Sequence, residues 1–197
     1  MAFGVSFGVL ARAAGLGVLA PVVMSATTFA GSSQFAAVSI LGAGGGVGAA
    51  IVAAVLLNTR YVPMGLASAP VLRGGRARRA VEAQLVVDEG WAFAKRPDGR
   101  FDRGVLIGAG LTLYLAWLVG TAAGAVAGEA LGDPEALGLD AAFPALFLAL
   151  LVGQVRSGRT AAAAVAGAAL ALSLTPVAPS GIPVLAATAA CLIGLRR

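Results

Sequence analysis

The chain has 197 residues, 59% of them hydrophobic and 12% charged, with a mean hydropathy of +0.91. A soluble domain carries roughly 25% charged and 45–50% apolar residues, so this is the composition of a membrane protein. The formal charge of +5 does not point to nucleic acid, because Arg73, Arg76, Arg78, Arg79, Lys95, Arg96, Arg100 and Arg103 share one segment between apolar runs, which is positive-inside flanking.

The absence of histidine removes the usual general base and the commonest metal ligand. Neither a zinc centre nor a Ser-His-Asp centre is expected, and no cofactor. The single cysteine, Cys191, cannot form an internal disulfide.

Residues 1–15 are apolar apart from Arg12 and carry no basic leader or clean cleavage site. They read as a short first helix and not as a signal peptide. A span needs about 20 apolar residues, and residues 16–42 are long enough for one. That run contains Gly31-Ser32-Ser33-Gln34, which a spanning helix has no structural need for. Polar or irregular backbone is tolerated at membrane depth only where it is buried in protein or lines a cavity. A helix broken in mid-membrane is how many transporters build a substrate site. Gly31, Ser32, Ser33 and Gln34 are therefore candidate substrate-binding residues. Their hydroxyls and amide can bond a zwitterion, and the free N–H groups of a broken helix attract a carboxylate. The alternative is that both serines bond back to their own helix, and the chemistry leaves the two readings open.

Gly44-Gly45-Gly46-Val47-Gly48-Ala49 follows a strand-like run, Ala36–Leu41, and matches a dinucleotide fingerprint. That fingerprint requires an acid about 20 residues on, and no Asp or Glu occurs before Glu82. The glycines read as a turn or a helix contact. Residues 47–72 are again long enough to span but are interrupted by Asn58-Thr59-Arg60 and Pro63. Arg60 either snorkels to the interface or acts, with Asn58, to orient or neutralise a charge. An ionisable group inside a membrane is a functional candidate by default.

Within 73–103, Val81, Leu85, Asp88 and Ala92 recur at helical spacing, predicting one short amphipathic helix at the interface. A carboxylate on an apolar face is costly unless paired or protonated. Asp88, with Glu89 beside it, is thus a candidate proton carrier or the partner of Arg60. The alternative is a helix-capping acid in a solvated loop.

Residues 104–128 form a clear span. Short apolar runs follow at 141–155, 160–175 and 182–195, with Asp140 as an N-cap and Pro144 in a first helical turn. If 73–103 is cytoplasmic, then 156–159 and the C-terminal Arg196-Arg197 are also inside, and the segments without Lys or Arg are outside. The expected fold is an all-α polytopic membrane protein of about seven transmembrane helices. At least one helix is discontinuous, and an inverted repeat of two halves is possible. The divisions are 1–72, an N-terminal transmembrane half; 73–103, a cytoplasmic basic segment; and 104–197, a C-terminal half. Because no acid precedes Glu82, a coupling acid must come from beyond the first half, so a site at Gly31–Gln34 would be shared between halves.

Phe29-Ala30-Gly31-Ser32-Ser33-Gln34-Phe35, Leu57-Asn58-Thr59-Arg60-Tyr61 with Gly65-Leu66 and Ala69-Pro70, Asp88-Glu89, and Gly138-Leu139-Asp140 with Phe143-Pro144-Ala145-Leu146-Phe147 resemble the AzlC family in order and spacing. Members of that family are the large subunits of branched-chain amino acid exporters. The resemblance implies export of valine, leucine, isoleucine or a related apolar amino acid such as methionine. It also implies a small AzlD-type membrane partner and drive from the proton gradient. One departure is that Ala2–Gly8 resembles the inside of the family's first helix, so the usual leading segment is missing. The chain is thus expected to be a multi-pass transporter of the cell (inner) membrane with a cytoplasmic C-terminus. The alternative is a structural subunit whose partner carries the substrate path. An intramembrane enzyme is not expected, since the sequence lacks histidine, H-E-x-x-H and any lysine besides Lys95.

Overall fold

The apolar runs fold as helices joined at glycines and prolines. The computed structural model describes residues 1–128, 155–178 and 182–190, with single positions at 145, 148, 151 and 152. Its helices are α1 (Ala2–Ala13), α2 (Leu19–Thr27), α3 (Gly31–Gly42), α4 (Val47–Asn58), α5 (Tyr61–Ser68, continued by a 3-10 turn, Ala69–Val71), α6 (Arg76–Gln84), α7 (Asp88–Ala94), α8 (Arg103–Ala127), α9 (Gly158–Leu174) and α10 (Ile182–Ala187). No strand occurs among the described residues; Lys95 and Phe101 make an isolated antiparallel bridge.

Among the described residues, two runs are long and apolar enough to cross a membrane, Val47–Val71 and Arg103–Ala127, while α1 and α9 are shorter apolar helices. Their exposed side chains are aliphatic: Ile51, Val55, Val62 and Leu66 on the first run, Leu111, Leu115 and Val119 on the second. Such faces are stable against lipid and not against water. The described helices agree with the all-α membrane class. The seven-span count, the repeat of two halves, Asp140 and Pro144 involve residues outside the described ones.

The run 16–42 is discontinuous: α2 and α3 are separated at Thr28–Ala30, just ahead of Gly31–Gln34, which begin α3. Two expectations are corrected. The strand-like Ala36–Leu41 lies inside α3, and the glycines after it form the α3–α4 turn, where Gly44 takes φ +75°. The single amphipathic helix expected in 73–103 is also two, α6 and α7. Val87 between them is extended, at φ −120° and ψ 163°. Val86 and Val87 are each 6% exposed, whereas Val81 is 67% exposed. Burying the two valines ends the helical period, so Val81 and Asp88 do not share an apolar face.

Close packing of α1 on α8 rests on four glycines. A Cβ on Gly8 would stand 2.3 Å from the Thr121 carbonyl oxygen, and one on Gly124 would stand 2.1 Å from that of Val5. A Cβ on Gly4 or Gly120 would also clash, at 2.7 Å from the carbonyl oxygens of Trp117 and Met1 respectively. Small residues four apart on both helices let membrane helices approach backbone to backbone. On the basic side, Glu82 is the hub. It accepts from the Arg73 N–H at 3.0 Å, from Arg78 Nε at 3.1 Å and from Arg103, tying α6 to the start of α8. Asp102 caps α8 by accepting the Val105 N–H at 3.1 Å.

Candidate functional site

The site forms where α2 stops and α3 begins. Phe29, between them, sits at φ +40°, a conformation that side-chain-bearing residues rarely adopt. Its ring stands edge-on to Tyr114 with centroids 5.0 Å apart. Gln34 fastens the break. Its Oε1 accepts the Ala30 N–H at 3.2 Å, and its Nε2 donates to Ser25 Oγ of α2 at 3.0 Å. Ser25 Oγ also accepts from Trp117 Nε1 at 3.0 Å. A hydroxyl oxygen has two lone pairs, and both are now used. The Ser25 hydrogen therefore goes to Thr121 Oγ1, 2.9 Å away. Ser25 and Thr121 are fully buried and Gln34 nearly so. This satisfied network joins α2, α3 and α8 and specifies one arrangement of the broken helix.

Beside the first turn of α3 lies a cavity of about 160 Å³. That is far above the roughly 10–15 Å³ that holds one water and below the roughly 300–1,000 Å³ of drug-sized clefts, the scale of one small solute. Its polar lining is Gly31, Ser32, Arg60, Tyr61, Asp88 and Glu89. Phe3, Phe35, Leu113, Ala116 and Trp117 are among its apolar lining. Trp117 is held by its bond to Ser25, by stacking on Phe7 at 5.8 Å and by an edge contact with Phe35 at 5.9 Å. A Cβ on Gly31 would meet the indole at 3.1 Å, so a larger residue there would push the indole back by a few tenths of an ångström.

Arg60 reaches the cavity because of Pro63. Proline has no N–H for the carbonyl four residues back. The Thr59 carbonyl takes the Val62 N–H instead, at 3.1 Å, and the helical run pauses at Thr59–Arg60, between α4 and α5. Arg60 Nη2 lies 2.6 Å from Ser32 Oγ, 2.9 Å from Asp88 Oδ2 and 3.3 Å from the Tyr61 hydroxyl. Asp88 is the first residue of α7, where the helix dipole favours an anion.

Five of the eight residues singled out from sequence thus come together: Gly31, Ser32, Arg60, Asp88 and Glu89. The other three do not line the cavity. Ser33 Oγ donates to the Ala30 carbonyl at 2.9 Å, Gln34 belongs to the network at the break, and Asn58 closes α4 with Oδ1 buried and unpartnered among the described residues. The serines therefore divide between the two sequence readings: Ser33 bonds back to its own helix start and Ser32 faces Arg60. Sequence reasoning missed Tyr61, Trp117, Ser25 and Thr121. Trp117 carried a signal, because tryptophan concentrates at membrane interfaces and this one lies near the middle of α8. The lining residues come from 1–72, 73–103 and 104–128 alike.

The apolar helices define a helical membrane protein, with a polar pocket at the α2–α3 break. The chain belongs to the AzlC family, whose "AzlC protein" model matches residues 1–131, a range that includes every residue lining the cavity. It is 32% identical over 188 residues to an "Uncharacterized membrane protein" of Archaeoglobus fulgidus, covering 94% of this chain and 82% of that one. It is 30% identical over 182 residues to the "Inner membrane protein YgaZ" of Escherichia coli K12, covering 86% of this chain and 74% of that one. No solved structure matches the chain.

Proposed function

We propose that the protein is a secondary transporter of the cell (inner) membrane that exports a branched-chain or similarly small apolar amino acid. The observation that carries this reading is the cavity at the α2–α3 break, with a cation and two acids on its polar lining and aromatic and aliphatic side chains on the rest. Charges of both signs suit an amino acid's backbone, and Trp117, Phe35 and Leu113 suit an apolar side chain. The first turn of α3 adds N–H groups that helix geometry leaves without a carbonyl. Membership of the AzlC family supports transport as the class of activity.

Proton coupling is part of the proposal. Among the lining side chains, Arg60 brings one positive charge and Asp88 and Glu89 two negative ones. A zwitterion does not change that surplus negative charge; a proton does. Asp88 or Glu89 is the proposed carrier. An AzlD-type small subunit is the proposed partner, and the segment 73–103 is proposed to face the cytoplasm. The direct test is to load cells with a valine-containing dipeptide and follow valine efflux. Deleting the protein should slow efflux severalfold; unchanged efflux would overturn the reading. If deletion abolishes efflux but Ser32→Ala and Arg60→Gln variants assemble and transport normally, the substrate path lies elsewhere and the structural-subunit reading replaces this one.

A further inference from the structure

The two signs of charge in the cavity are already paired with each other. Arg60 and Asp88 meet at 2.9 Å, with side chains 33% and 41% exposed, so each keeps accessible surface. We infer that the substrate binds as an α-amino carboxylate zwitterion inserted into this ion pair, its carboxylate taking over Arg60 and its ammonium taking over Asp88. This rests on the transport reading above and extends it to how the substrate is recognised.

The hydrogen-bond count at Arg60 supports the exchange. Nη2 has three oxygen neighbours, Ser32, Asp88 and Tyr61, but a terminal guanidinium nitrogen carries two hydrogens. Nε of the same group is buried and has no partner among the described residues. The guanidinium therefore has donors in reserve, while the ones in use are over-subscribed. Asp88, as an ionised carboxylate, offers about four lone-pair positions, enough for an ammonium in place of Arg60. Charge explains the selectivity. A ligand with one sign would displace one partner and leave the other without its counter-charge inside the cavity, which is unfavourable. A zwitterion repairs both sides at once. The empty site is then closed by its own ion pair, and closure and binding exclude one another.

The test uses inside-out vesicles from the native cells, in which the full chain and its proposed small membrane partner are both present. Labelled valine uptake is competed by unlabelled valine, by 3-methyl-2-oxobutanoate, which lacks the ammonium, and by isobutylamine, which lacks the carboxylate. In wild-type vesicles both analogues should compete at least ten-fold more weakly than valine. Asp88→Asn should weaken valine at least ten-fold yet strengthen the oxo acid, because Arg60 is released from its internal partner. Arg60→Gln should weaken valine and strengthen isobutylamine. A variant that only harms the fold lowers total uptake and leaves the relative strength of the probes unchanged, so this crossing of signs belongs to the exchange alone. Oxo acid or amine competing as well as valine in wild-type vesicles would overturn the inference without any variant. Valine uptake with all three probes weakened alike in both variants would overturn it too, leaving transport standing. No uptake of valine, leucine or isoleucine above that of vesicles lacking the protein would instead remove the transport reading and this inference with it.

Discussion

Ser25 is the residue on which the site's geometry turns, although it touches no substrate in the proposed scheme. It takes hydrogens from Gln34 and Trp117 and gives its own to Thr121. Ser25→Ala would leave the buried Gln34 amide and the half-buried Trp117 indole N–H without an acceptor, the first alone costing about 1–3 kcal/mol. Unfolding of the variant in detergent micelles should show a loss of at least that size; wild-type stability would contradict the network. At this scale the motif Gly31–Gln34 was legible as a polar anomaly, but the jobs of its members were not. Successive residues on a helix point about 100° apart, so Ser32 meets the cavity while Ser33 is enclosed. Nothing in the letters distinguishes them.

Among elements, the break in the first long run was readable from its polar residues, and the pause at Arg60 from Pro63. The pairing of α1 with α8 was not, since Gly4 and Gly8 have no mark that names Gly120 and Gly124 as their partners. The same holds for Glu82, which the sequence placed in a charge-rich segment and the fold makes a hub. The bond from Arg103 first, then the Arg73 N–H and Arg78, hold its carboxyl down to about 2 from an ordinary 4.5. A depressed folded-state value means that Glu82 stabilises the fold above about pH 4.5, and that this contribution fades as pH falls from 4.5 towards 2. Glu82→Gln should therefore melt at a lower temperature than wild type at pH 7. The gap should narrow on acidification through that window, as read by thermal unfolding in detergent. A gap that does not change between pH 7 and pH 3 would show that the hub does not depend on the charge of Glu82.

For the whole molecule, orientation is the property most directly carried by charge. The basic segment 73–103 is expected on the cytoplasmic face, and Asp98, exposed in its hairpin, is a place to read it. With Cys191 replaced by serine, Asp98→Cys should react with a membrane-impermeant maleimide in inside-out vesicles and not in intact cells. The reverse pattern would invert the proposed orientation. Composition, hydropathy and charge were enough by themselves to determine a helical membrane protein, its basic segment and a polar break in its first long apolar run, because each acts along the chain over one turn or one span. Only the tertiary structure decided which polar residues meet. Ser32 and Arg60 are 28 positions apart, and Ser25 and Thr121 are 96 apart. Contacts over such separations depend on how the helices pack, which no local pattern encodes.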